Sequence, residues 1–331
     1  MRKVLPLFFC LFSTAFLHAQ LNWQRPVLLE YGVIKIEKVE RSSQQFPIKM
    51  IGGLIFVQAK LEGNIGHFIL DTGAPTLVVN RTLRKQFRPD KQILGITGQS
   101  EIGMRLIHDF RLGQLKTKPI EAIDVDMSHL EKLIRHPIEG LIGYQAINNY
   151  ELLLDYEQQQ IELLKPNGQP EQQDLEIIGR LPFELMGHFP VIKVQIGKRT
   201  YHFGIDTGAE TNLIARKHKR RLRHWTDKDG TRKYLQGVDK GRVSAYFTQL
   251  NNLHIAGKNY DSLPFTFTDI SHLNSSRKVK LDGILGYPFL KSQLFSINFK
   301  DQEIRIWAPR AKPSQQEEDL MVKLTECLMR R

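Results

Sequence analysis

The stretch HFILDTGAPTLVV, residues 67–79, returns 135 positions later as HFGIDTGAETNLI, residues 202–214. Each copy sets a polar tetrapeptide between two apolar, strand-like runs. In the first it is Asp71, Thr72, Gly73 and Ala74; in the second it is Asp206, Thr207, Gly208 and Ala209. Aspartate is a poor strand residue and costly to bury without partners. A plain hairpin needs the glycine but not an aspartate after a fully apolar run. The expectation is that the two turns meet and their aspartates share one site.

The similarity extends outward from the two turns. Pro47, Gly52 and His67 match Pro182, Gly187 and His202 at the same spacing of 135. Beyond the turns the spacing becomes 143. Gly98 then matches Gly241, DxSHL at 126–130 matches 269–273, and GLIGY at 140–144 matches GILGY at 283–287. The second copy therefore carries eight extra residues between Asn212 and Gly241. A repeat of this length sets the organisation. We expect a first lobe over 46–165, a linker over 166–180 and a second lobe over 181–307. The stretch 20–45 would be an additional strand or a removable pro-segment. The end, 308–331, reads as a tail with either a helix over 314–331 or none.

Short runs with period-two alternation dominate both copies, such as FVQAKL at 56–61 and VIKVQI at 191–196. They read as antiparallel strands joined by hairpins. Within the repeats, helical turns are expected over 81–87, over 215–223 and after each GxxGY.

At the start, Arg2 and Lys3 precede an apolar run from Val4 to Leu17, with Ala19 at a cleavage-like position. That pattern reads as an export signal over 1–19, too short for a comfortable membrane span. Of the two cysteines only Cys327 would remain, so no intramolecular disulfide can form. An exported protein without disulfides fits the periplasm or surface of a Gram-negative bacterium. Net charge is +12, or +10 without Arg2 and Lys3. Much of the excess lies in RKHKRRLR, Arg216 to Arg223. It is either a solvated helical face or a patch for an anionic partner. No nucleic-acid-binding signature accompanies it.

Two facing carboxylates have a definite chemistry. At contact distance they cannot both ionise cheaply, so the pair holds one proton. One member can take a proton from water while the other donates to a carbonyl oxygen, which is general acid–base hydrolysis of an amide. The glycines allow close approach, the threonine hydroxyls can bond backbone across the axis, and the alanines keep the floor small. The eleven histidines show no HExxH or paired metal spacing, and no GxSxG occurs. Neither metal nor cofactor is expected, and a nucleophilic hydrolase is disfavoured. The repeated His129 and His272 read as part of a turn or cap within DxSHL.

With these residues in view, the chain resembles the pepsin-like and retropepsin-like aspartic peptidases, closest to bacterial two-lobed members with a duplicated DTGA. The resemblance covers about 46–307. It implies an all-β, bilobal acid-protease fold of two pseudo-symmetric β-barrel lobes with the active site between them. It makes Asp71 and Asp206 the catalytic pair, with Thr72 and Thr207 gripping the opposite lobe. It also puts Leu141-Ile142-Gly143 and Ile284-Leu285-Gly286 behind the catalytic loops. Three features depart from the pepsin pattern. Alanine replaces the hydroxyl residue after each Asp-Thr-Gly, which implies less acidic carboxyls and an optimum nearer neutral. Pro75 and Glu210 follow the alanines, where retropepsins tend to have Asp. No Tyr-Gly flap occurs, and the hairpins Gly95 to Gly103 and Gly237 to Gly241 are the flap candidates. The expected activity is an endopeptidase acting on peptides or proteins, as a monomer that is an intramolecular pseudo-dimer. The alternatives are a non-catalytic peptide-binding protein of the same fold, or a basic surface-binding protein using Arg216 to Arg223.

Overall fold

The strands ahead of the two aspartates show how closely the copies agree. Leu54–Leu61 and Phe189–Ile196 have the same order of buried and exposed positions, as do Asn64–Leu70 and Arg199–Ile205. Each pair is an antiparallel hairpin, and alternation along it sends one face into its lobe. The computed structural model describes residues 43–81, 91–94, 99–165, 168–172, 174–227, 229–236, 242–255, 257–274 and 280–310. The export signal (1–19), the 20–42 segment, all but Arg81 of the helix expected over 81–87, the helix expected over 314–331, and the hairpin tips 95–98 and 237–241 lie outside these residues.

Within them the protein is all-β in two lobes. Each lobe is a ten-stranded sheet, and the strand order is the same in both. In the first lobe it runs Lys91–Leu94, Gln99–Ile107, Ile120–Val125, Val78–Asn80, Gly140–Ile142, Asn64–Leu70, Leu54–Leu61, Phe110–Leu112 and Leu115–Lys116, with Lys49–Ile51 paired beside Leu54–Leu61. The second lobe repeats this from Thr231–Gln236 to Lys258–Tyr260, with Glu184–Met186 in the side position.

The expectation of antiparallel strands is corrected here, because the sheets are not wholly antiparallel. The strands flanking each aspartate loop do not pair with each other. Gly140–Ile142 inserts between Asn64–Leu70 and Val78–Asn80, parallel to the first and antiparallel to the second. Gly283–Leu285 does the same in the second lobe. Val78–Asn80 also runs parallel to Ile120–Val125, as Asn212–Ala215 does to Leu263–Thr268. The inserted strands are buried on both faces, so they carry no alternation that could reveal their neighbours. They carry glycine where the sheet is tightest. A Cβ on Gly140 would run into the Val78 carbonyl oxygen, and one on Gly283 into that of Leu213.

A third sheet of six strands joins the lobes, in the order Ser43–Pro47, Gln160–Leu164, Glu151–Asp155, Leu294–Asn298, Glu303–Pro309, Leu175–Pro182. Its central pair places Leu153 opposite Ser296, its own equivalent at the spacing of 143. The local twofold therefore passes through that pair. The outer strands are also equivalents, and this corrects two boundaries. Residues 175–180, read as linker, begin the second lobe's outer strand, and residues 43–45 belong to the first lobe's. The linker reading missed an alternation in Leu175–Pro182 that is interrupted by a bulge between Ile177 and Gly179. A continuous apolar cluster runs from Phe68 and Phe110 through Leu152 and Ile297 to Phe203 and Phe265, so both lobes share one core with the sheet between them.

The basic run forms a short helical stretch, Arg216–His218, Lys219–Leu222 and Arg223–Trp225. His218 and Leu222 are buried, while Arg216, Lys217, Arg220, Arg221 and Arg223 face solvent. Lys217 lies 3.8 Å from Asp282, and Lys219 sits over the Tyr246 ring at 3.3 Å. No helix among the described residues is long and apolar enough to cross a membrane.

Candidate active site

The two DTGA loops meet where the lobes face each other. Each loop is hung on the inserted strand: Asp71 N–H donates to the Ile142 carbonyl (3.0 Å) and Asp206 N–H to that of Leu285 (3.1 Å). The chain then closes a turn with Ala74 N–H on the Asp71 carbonyl and Ala209 N–H on that of Asp206. Tyr144 and Tyr287, which begin the short helices after GxxG, donate their N–H groups to Ala74 and Ala209, both at 2.8 Å. Gly143 and Gly286 admit this contact; a Cβ on either would collide with the loop's carbonyl oxygens.

The threonines lock the two loops reciprocally. Thr72 N–H donates to Thr207 Oγ1 (3.0 Å) and Thr207 N–H to Thr72 Oγ1 (3.1 Å). Each hydroxyl in turn donates to a carbonyl of the other lobe, Thr72 to Ile205 (3.3 Å) and Thr207 to Leu70 (2.8 Å). All four bonds are buried, where hydrogen bonds are least weakened by water.

This lock sets the carboxyls side by side with the opposing glycines. A Cβ on Gly208 would lie 2.5 Å from Asp71 Cγ, so Asp71 occupies the space that glycine leaves. Gly73 N–H donates to Asp71 Oδ1 (2.9 Å) and also supports Asp206 from across the axis. Gly208 N–H donates to Asp206 Oδ1 (2.9 Å), and Ala74 N–H to Asp71 Oδ1 (3.2 Å). Asp71 is 2% exposed and Asp206 not at all. Burial raises the Asp71 carboxyl to about 6, against the Gly73 and Ala74 N–H groups that favour its charge. It raises Asp206 to about 7, against Gly208 and Gly73. Both groups thus titrate near neutral, the range in which a carboxyl can exchange protons with substrate.

All eight residues singled out in the sequence, Asp71 to Ala74 and Asp206 to Ala209, are therefore brought to one place. Ala74 and Ala209 are buried and apolar, as the floor required. Glu210, where Pro75 stands in the first copy, turns onto the other lobe: a Cβ on Gly52 would lie 3.0 Å from Glu210 Oε1. The DxSHL elements open helical segments that the sequence reading did not expect, Ser128–Ile134 and Ser271–Asn274, with Asp126 and Asp269 accepting from the N–H groups of Ser128 and Ser271 (both 2.9 Å). The flap candidates begin as equivalent hairpins, Lys91–Leu94 with Gln99–Ile107 and Thr231–Gln236 with Arg242–Leu250. Sequence reasoning missed His188, buried in the second lobe with Nε2 2.8 Å from the Gly73 carbonyl. Its signal was present as a break in the repeat, since the matching residue is Gly53.

A duplicated sheet with a buried Asp-Thr-Gly loop in each lobe, the two locked across a pseudo-twofold, defines an acid-protease type of molecule. The family model for aspartyl proteases matches residues 57–146 and 192–289, once in each lobe and together more than half of the chain. The chain belongs to the aspartyl protease family. A comparison with curated proteins finds no match.

Proposed function

We propose that the protein is an aspartic endopeptidase in which Asp71 and Asp206 activate a water molecule between them. The observation that carries this reading is the burial of both carboxyls against the opposing glycines, with pKa values raised into the neutral range. In the reactive form the pair holds one proton. The ionised carboxylate takes a proton from water as its oxygen attacks the peptide carbonyl carbon, and the protonated carboxyl donates to the carbonyl oxygen. In the collapse of the resulting diol, the carboxyl that took the proton from water gives it to the amide nitrogen, the ionised carboxylate takes a proton from a diol hydroxyl, and the C–N bond breaks. The products are one carboxylic acid and one amine, and the pair is back in its starting protonation state with one proton. The two hairpins at equivalent sheet edges offer backbone to an extended peptide, the natural mode for such a groove. Thr211, two residues past Ala209, lines an open recess together with Asp229, Phe247, Thr248, Phe265 and Thr266.

Full-length wild type and the Asp71→Asn and Asp206→Asn variants are to be incubated with denatured protein, and new termini read by mass spectrometry. Internal cleavage by wild type alone is expected. Equal cleavage by all three sinks the paired-aspartate reading. The export reading of residues 1–19 puts this activity in the periplasm or at the cell surface, which fractionation of expressing cells would check.

A further inference from the structure

The two copies differ at one position that touches the site. His188 stands where the first copy has Gly53. A carbonyl oxygen only accepts, so His188 Nε2 carries the proton in its 2.8 Å bond to the Gly73 carbonyl. The Gly73 carbonyl and the Ala74 N–H are the two ends of one planar peptide unit. That N–H is shared between the Asp71 carbonyl oxygen (3.1 Å) and Asp71 Oδ1 (3.2 Å). His188, the 73–74 peptide and Asp71 therefore form one chain of hydrogen bonds from the second lobe into the first. Donation to a peptide oxygen strengthens the N–H at its other end as a donor. Gly53 has no side chain with which to do the same for the Gly208 carbonyl. The space it leaves is taken by Tyr287, whose Cδ1 would lie 3.0 Å from a Cβ there. Tyr144, the equivalent of Tyr287, instead packs against the His188 ring, with centroids 6.3 Å apart.

We propose that His188 is a positioning residue that makes the two aspartates unequal: it strengthens the Ala74 N–H at Asp71, so that Asp71 holds the negative charge and takes the proton from water, while Asp206 holds the proton and gives it to the substrate carbonyl. This rests on the paired-aspartate reading above. The Ala74 N–H is one of the groups that hold the Asp71 carboxyl down against burial. Among the described residues, the two carboxyls, His188 and the Tyr144 ring beside it face this peptide, and Glu210 lies against Gly52.

The test is kcat and KM against pH for the full-length wild type, His188→Gln, His188→Asn and His188→Leu, on a peptide that the wild type cleaves. The Gln amide reaches about as far as Nε2 and donates. Asn falls short, and Leu keeps bulk without a donor, so either serves as the donor-less variant if the other does not fold. The donor-less variants are expected to lose about threefold to tenfold in kcat, with KM within about twofold. The acid limb of their profile should move up by roughly half to one pH unit, and His188→Gln should restore both. A donor-less variant with wild-type kcat and profile overturns the proposal. So does a Gln variant as impaired as they are with an unmoved acid limb, which would make the role one of packing. Asp71→Asn and Asp206→Asn, run alongside, separate the two claims. If both retain activity the paired-aspartate reading itself fails; if both are inactive and the histidine variants are normal, only the asymmetry fails.

Discussion

At the residue scale, Asp71 and Asp206 work against the fold that holds them. Each has a folded-state pKa above its unfolded value of 3.8. A group raised in this way stabilises the fold fully below the unfolded pKa, and that contribution is lost as pH rises through the folded pKa. Between about pH 4 and 7 the two carboxyls therefore become a liability. Asp71→Asn and Asp206→Asn, which cannot ionise, should each be more stable than wild type at pH 8, by on the order of 2 kcal/mol. The gap should close by about pH 4. Thermal unfolding at the two pH values checks this, and an Asn variant less stable than wild type at pH 8 would contradict it. The same shifts set the activity window. The singly protonated pair should predominate in the mildly acidic to neutral range, and turnover should decline on either side. A rate that peaks sharply below about pH 3, where both carboxyls are protonated, would argue against the shared proton. The identity of these residues was plain in the sequence because a carboxylate between apolar runs needs an explanation. His188 was marked only by the break in the repeat opposite Gly53, and a histidine on a short turn does not show its role until the peptide it bonds is known.

At the scale of elements, the inserted strands Gly140–Ile142 and Gly283–Leu285 are what turn a repeated tetrapeptide into a site. They hold apart the two arms of each loop and supply the carbonyls on which Asp71 and Asp206 hang. Their glycines are the weak points. Gly140→Ala and Gly283→Ala should each cost about 2–4 kcal/mol, because the added methyl meets backbone that cannot yield. Gly63→Ala, at a positive φ of 89° with open space around it, should cost only about 1–2 kcal/mol. Urea midpoints of the three variants test the ranking, and equal losses would show that the close approach is relaxed in solution. The GLIG and GILG elements were visible in the sequence as matched pairs, and the resemblance placed them behind the loops. Their parallel pairing was not otherwise legible. Alternation tells which face of a strand is buried, not which strand lies beside it, and three-residue strands buried on both faces have no alternation to read.

For the whole molecule, the six-stranded sheet makes one unit of two lobes, and its central crossing holds a buried charge. Glu151 accepts from Arg305 Nη1 (2.6 Å), Asn298 Nδ2 (3.0 Å) and Ser296. Arg305→Met should cost about 2–4 kcal/mol by leaving that carboxylate short of its cation, with unfolding still a single transition. Calorimetry showing two separate transitions would mean that the lobes fold independently. The duplication and the bilobal plan were legible from spacing alone. The joining sheet was only partly so: Leu175–Pro182 was hidden by its bulge and polar neighbours, although Pro182 already matched Pro47 of the opposite outer strand. The central claim is that Asp71 and Asp206, one from each lobe, act as one acid–base unit. The most direct measurement is kcat/KM for Asp71→Asn, Asp206→Asn and the double variant on one cleaved peptide. Residues that act as a unit give non-additive losses. Each single change should remove at least about a thousandfold, and the double variant should be no worse than either. Single variants that keep substantial activity, or losses that multiply in the double variant, would contradict it.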